Sequence, residues 1–288
     1  MIGTRAGTAG LVESPLLSNG HGGFGKRFGE TGRLKDRYRA PNRLRGGKDY
    51  READRQAAES LLELVPDASV ACYDNRQFLG RAIRYLVGTA RPPVRQIVDI
   101  GSGLPTLGQV HSVAHLVARD TRIVYVDYDP EVLEQSRRLL TNEPTVAAIC
   151  RDLRQPEEIL NDAQLLSFID FSQPVAVLLI AVLHFIPDSE YPHQIVQTLK
   201  RAMAPGSYLA ISHVTADNAT PDVSAGVGRL YEGVTAPSAP RTHSEILRFF
   251  DGMEMVTPGL VNVSEWRNDF MPEQPGRTIF YAGVAQML

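Results

Sequence analysis

The chain has 288 residues, 43% of them apolar and 22% charged, with a formal net charge of −3. These values suit one large globular domain, or a domain carrying an arm. They exclude a disulfide framework or a cysteine-rich zinc site, because Cys72 and Cys150 are the only cysteines. No apolar run approaches the roughly 20 residues that span a bilayer, so no membrane partner is expected. The start, Met1 to Arg5, lacks the charged and apolar regions of a secretory signal, and a reducing, cytoplasmic setting is expected. The net charge hides an asymmetry. Residues 1–48 carry +7 and the remaining 240 carry −10. The acidic body argues against a nucleic-acid surface, and the basic segment reads as a solvated arm.

Residues 1–37 are rich in glycine, show no apolar period, and predict a disordered arm. Residues 38–93 predict a helical cap. In it, Asp49 to Val65 sets Ala53, Ala57, Ala58, Leu61, Leu62 and Val65 on one stripe. A second helix is expected from Asp74 to Val87, ended by Arg91-Pro92-Pro93. Residues 94–288 then alternate. Strands are expected at Gln96 to Ile100, Arg122 to Val126, Thr145 to Cys150, Val175 to Val182 and Gly206 to His213. Helices are expected at Gln109 to Arg119, from Asp129-Pro130 to Leu140, at Pro156 to Asp162, Ala163 to Ile169 and Tyr191 to Met203. Thr242 with Glu245 forms a capping box that opens a helix to Phe250. Met253 to Val263 and Thr278 to Ala285 read as two closing strands. Such alternation predicts an α/β fold, a doubly wound, Rossmann-like sheet of seven mostly parallel strands. Ligands in such sheets bind beyond the strand C-termini, at the topological switch.

Three of those strand ends carry acids. The first delivers Asp99-Ile100-Gly101-Ser102-Gly103, where glycines let the backbone turn tightly and approach a ligand. A dinucleotide fingerprint needs G-x-G-x-x-G, but Leu104, Pro105 and Thr106 follow and the next glycine is Gly108. The broken fingerprint and the carboxylate of Asp99 oppose an NAD(P)-dependent oxidoreductase, and suit a ligand bearing an ammonium group. Asp127 ends the second strand, where a carboxylate accepts hydrogen bonds from ribose hydroxyls. Asp152 follows the third strand and could accept from an adenine amino group. Three acids at successive strand ends predict a nucleoside site.

This pattern resembles the class I S-adenosylmethionine-dependent methyltransferases. The stretches Gly46-Gly47-Lys48-Asp49, Asp99 to Thr106, Val124 to Pro130 and Ala181 to Asp188 look like one actinobacterial S-adenosyl methyltransferase family, formerly a domain of unknown function. Phe249 to Gly252 and Val263 to Arg267 extend the likeness over residues 40–288. The resemblance implies S-adenosyl-L-methionine as cofactor, with S-adenosyl-L-homocysteine as product. It implies cofactor contacts from Asp99, Gly101, Ser102, Gly103, Asp127, Tyr128, Asp152, Leu153 and Ala181, and a lid carrying Gly47 and Lys48. Tyr50 stands where the family commonly has Asn, and is expected on the acceptor side. The family also suggests natural-product biosynthesis, with indoles or cyclic dipeptides as an acceptor class.

Methyl transfer from a sulfonium needs alignment and exclusion of water more than a base. His184 follows the fourth strand and is a candidate base or acceptor orienter. His213, at the end of the fifth, is a second candidate. No Asn/Asp-Pro-Pro-aromatic motif follows the fourth strand, which disfavours amino methylation of nucleic acid. Asn75 and Arg76 could reach the cofactor carboxylate, since Arg binds carboxylates bidentately. Residues 214–242 read as an insertion walling a small-molecule acceptor, with Tyr231 and Trp266 as aromatic walls. His111 and His115 share a helix face without a third ligand, so no metal is expected. A homodimer is left open. The competing non-enzyme reading is a cofactor-sensing or DNA-binding regulator, for which the basic arm is the support.

Overall fold

The computed structural model describes residues 59, 62–103, 110–215, 217, 238–269 and 279–288. The expected lid (Gly47, Lys48, Tyr50), most of the first expected helix, Leu104 to Gly108 and Tyr231 lie outside the described residues.

Among the described residues eight strands form one sheet: β1 (Gln96–Ile100), β2 (Arg122–Asp127), β3 (Val146–Cys150), β4 (Ala176–Ile180), β5 (Tyr208–Val214), β6 (Glu254–Met255), β7 (Val261–Asn262) and β8 (Phe280–Gln286). Their order is β3-β2-β1-β4-β5-β8-β6, with β7 also paired to β8. β1 to β5 run parallel, and β8 enters antiparallel to β5 in register Ser212↔Ala282. The expected count was seven. The sixth expected strand, Met253 to Val263, is two short pieces, because Thr257-Pro258-Gly259 turns the chain between them and Pro258 has no N–H to donate.

Helices cover both faces. α1 (Ala68–Arg84) is prolonged by a π-helical turn at Tyr85–Thr89, and α2 is Val110–Val117. α3 (Pro130–Leu139), α4 (Pro156–Leu160), α5 (Ala163–Phe168), α6 (Pro192–Ala202) and α7 (His243–Leu247) follow. α1 starts earlier than the expected Asp74, since Ala68 and Ala71 already face inward. Asp129 caps α3 by accepting from the Glu131 amide, with Pro130 at the first turn. The Thr242–Glu245 capping box is present at α7.

Alternate residues of each central strand enter opposite cores. Ile97, Ile123, Ala176 and Leu178 pack with Phe78, Ile83 and Leu86. Val98, Val124, Val177 and Leu179 pack with Ile159, Leu165, Leu199 and Phe249. A sheet buried on both faces needs such apolar strands. The strand order reverses between β1 and β4, so the loops after β1, β2, β3 and β4 converge at one end. Among the described residues no helix is long and apolar enough to cross a membrane.

Candidate functional site

The turn after β1 is built on two left-handed glycines, Gly101 at φ +74° and Gly103 at φ +65°. A Cβ on Gly101 would overlap Val182, whereas one on Gly103 would meet nothing within 4 Å. The first glycine is therefore required by sterics as well as by φ, and the second leaves its backbone open to a ligand. Asp127 ties this turn to the end of β2. Its Oδ2 accepts from the Gly103 amide at 2.8 Å and its Oδ1 from the Asp129 amide at 3.0 Å.

These ends frame a cleft of about 320 Å³, counting its open mouth, lined by Ile100, Gly101, Asp127, Tyr128, Arg151, Asp152, Leu153, Arg154 and Ile186. Tyr128, Leu153 and Ile186 offer an apolar slot for a flat ring, and the acids offer acceptors. The residues present fit an adenosyl ligand: open space at Gly103, carboxylates behind it, and apolar walls beyond. Ile186 and Arg154 were not anticipated as lining. Asp152 is less available than expected. The Arg154 guanidinium grips both its oxygens, through Nε at 3.0 and 2.9 Å and through Nη2, so an adenine amino group must share that carboxylate.

Burial sets the electrostatics. Desolvation pushes the Asp99 carboxyl up to about 7, opposed by the Arg76 charge and reinforced by Asp127. Desolvation likewise pushes Asp127 up to about 6, against the amides of Asp129 and Gly103 that favour its charged form. Two carboxyls poised near neutrality can take either protonation state as ligand donors arrive. Arg76, on α1, acts electrostatically on Asp99 and opposes the effect of burial on its carboxyl. Neighbouring Asn75 has a buried Oδ1 with no hydrogen-bond partner among the described residues. Ser102 lies in the same turn, half-buried.

On the far side, β4 is followed by Ala181, held at φ +53° with its amide donating to the Ser212 carbonyl and hydroxyl, each at 3.0 Å. That left-handed backbone is uncommon for a residue with a Cβ. A 3-10 turn, Leu183–Phe185, then carries His184. The His184 ring is buried, its Nδ1 has no partner among the described residues, and it lies edge-on to His213 and Phe280 at 5.6 and 5.9 Å. Burial, with the nearby His213 and Arg241, holds its imidazole well below the ordinary range, so it is neutral at pH 7.

His213 has a different position from the expected base. Its Nδ1–H donates to the Val214 carbonyl at 2.7 Å, and its Nε2 lone pair accepts from Arg241 at 2.9 Å. Burial chiefly, with Arg241, pushes it down to about 3. A ring whose only lone pair is engaged by a guanidinium cannot take up an acceptor proton. Trp266 is also corrected. It is fully buried, edge-on to Phe78 at 5.3 Å and Tyr85 at 5.9 Å, and forms core rather than an acceptor wall. His111 and His115 have structural partners, Tyr125 Oη at 2.8 Å and the Thr121 carbonyl at 3.0 Å.

A family model for S-adenosyl methyltransferases matches residues 37–288. A crystal structure of a candidate methyltransferase from Thermobifida fusca is 36% identical, over 86% of this chain and 93% of that one, with a TM-score of 0.80. A DUF574 family protein from Streptomyces avermitilis is also 36% identical, over 87% and 96%, with a TM-score of 0.81. No curated protein matches the chain.

Proposed function

The chain belongs to the S-adenosyl methyltransferase family, a family of S-adenosylmethionine-dependent enzymes, and from that premise we propose how its residues divide the work. The β1–β3 ends hold the cofactor. Gly101, Ser102 and Gly103 supply the close backbone approach, Asp127 the ribose acceptors, and Tyr128 and Leu153, with Ile186, the adenine walls. Asp152 contributes acceptor oxygens shared with Arg154. Asp99, Asn75 and Arg76 face the amino-acid end, where Asp99 suits an ammonium and Arg76 a carboxylate. Ala181 closes the slot from β4. Gly47 and Lys48 are proposed as a lid, and Tyr50 and Tyr231 as acceptor contacts, on the resemblance alone. Bound there, S-adenosylmethionine supplies a sulfonium-activated methyl group.

His184 orients the acceptor. Its neutral ring accepts a hydrogen bond from an N–H or O–H group of the acceptor and so aligns the nucleophile with the methyl group. The acceptor is proposed to be a small molecule of specialised metabolism, with indoles and cyclic dipeptides as the first class to test. The proposed organisation is an arm (1–37), a cap (38–93) and a cofactor domain (94–288), in a cytoplasmic setting.

The observation that carries these assignments is the convergence of Gly101, Asp127, Leu153 and Ile186 on one cleft at the sheet's switch point. Calorimetric titration with S-adenosylmethionine, S-adenosylhomocysteine and NADH tests them, on wild type and on Asp127→Ala. Saturable binding of the two adenosyl sulfur compounds, lost in the variant, is expected. Binding of NADH instead would overturn the reading.

A further inference from the structure

Arg241 is a buried cation at the C-terminal end of the expected insertion, far in sequence from β4, and its guanidinium gathers the loop after β4. Nη1 donates to the Leu183 carbonyl at 3.2 Å and to His213 Nε2 at 2.9 Å. Nη2 donates to the Ile186 carbonyl at 2.9 Å and to Asp188 Oδ1 at 2.7 Å. Its backbone amide donates to the Val214 carbonyl at 3.2 Å, which anchors it beside β5. The ring of Phe249 lies under the guanidinium, 5.5 Å from its carbon to the ring centroid. One planar fork thus spans two carbonyls, an imidazole and a carboxylate, a geometry that lysine cannot reproduce.

The segment so held joins the two halves of the site. Ile186 lines the cofactor cleft, and His184 lies between the two carbonyls that Arg241 grips. The His184 carbonyl itself accepts from the Ala239 amide at 2.7 Å, two residues before Arg241. Arg241 also fixes His213 as the Nδ1–H tautomer, and the His213 ring is the T-shaped neighbour of His184. Asp188 is largely exposed, so its ion pair adds little to the fork in solution.

We propose that Arg241 is a positioning residue for methyl transfer: by gripping residues 183–188 and His213 it sets both the Ile186 wall against the adenosyl group and the His184 ring toward the acceptor. This rests on the methyltransferase reading, yet its first readout needs no cofactor.

The experiment follows the imidazole nitrogens of His213 and His184 by NMR in the full-length protein, in wild type and Arg241→Met. Wild-type His213 should show the Nδ1–H tautomer and stay unprotonated from pH 8 to 4.5. In Arg241→Met both rings should shift, His213 should begin to titrate, and S-adenosylhomocysteine affinity should fall roughly tenfold. Arg241→Lys should recover little of that loss. A wild-type His213 that protonates within that range overturns the proposal even if the Met variant fails to fold. So does a folded Arg241→Met with unchanged imidazole signals and unchanged affinity. Wild type failing to bind S-adenosylhomocysteine would instead sink the cofactor assignment.

Discussion

A Cβ built on Gly101 would sit 2.4 Å from Cγ2 of Val182, so the turns after β1 and β4 touch at a position that admits no side chain. The φ of +74° adds about 1–2 kcal/mol of strain for any L residue, and the overlap adds about 1–3 kcal/mol. Gly101→Ala should therefore lower the melting temperature and weaken S-adenosylhomocysteine binding together. Adding Val182→Ala should restore part of the stability, since it removes the overlap and leaves the strain. An unaltered melting temperature in Gly101→Ala would contradict the geometry.

Asp127→Asn keeps the shape but turns an NH2 group toward one of the two amides that the carboxylate now satisfies. A buried donor facing a donor costs about 1–3 kcal/mol. Stability should fall by that order and adenosyl affinity at least about tenfold. Thermal denaturation and titration of one sample measure both, and retained affinity would remove Asp127 from the cofactor site.

Binding should release protons. Asp99 and Asp127 hold carboxyls raised to about 7 and about 6, and ligand hydroxyl or ammonium donors favour the charged forms. Affinity should rise with pH through that range and level off above it. For these two groups alone the fold binds more protons than the unfolded chain between 3.8 and about 7, so their contribution to stability falls as pH rises through that window. His213, pushed down to about 3, works in the opposite sense, which makes binding the cleaner measurement. Titrations at pH 6.5 in buffers of different ionisation enthalpy should report net release. Zero release there would rule out the linkage.

His184→Ala should lower turnover by about 100-fold or more while adenosyl affinity changes by less than about threefold, once an acceptor is in hand. Equal loss of both would make the residue a wall of the cofactor slot instead.

Trp266→Ala should cost about 3–5 kcal/mol, the price of a large cavity among Phe78 and Tyr85. Trp266→Phe should cost less. A variant with full stability and a changed acceptor preference would return Trp266 to the acceptor wall.

Much of this was legible because the signals are local. Asp129-Pro130 and Thr242 with Glu245 cap the helices that they announce, since a cap needs only its own first turn. The apolar runs at Gln96–Ile100 and Ala176–Ile180 are legible as buried strands, as is the glycine turn that follows β1. Contacts between distant segments were not legible. Nothing near Arg241 announces that Leu183, Ile186 and His213 will surround it, and nothing near Trp266 announces Phe78. The Arg154–Asp152 pair is close in sequence, yet an arginine two residues from an acid equally often points to solvent. Pro258 was the local sign that one closing strand would become two.

Arg81 of α1 donates through Nε to the Trp266 carbonyl at 2.7 Å, and through Nη2 to the Val263 carbonyl. The first of these bonds closes a loop of 185 residues. Contacts so distant along the chain form late, because the entropy of closing the loop precedes any reward. The helix that carries Asn75 and Arg76 therefore gains its full set of contacts only when the turn after β7 is in place, so the amino-acid end of the proposed cleft depends on the C-terminal part of the chain.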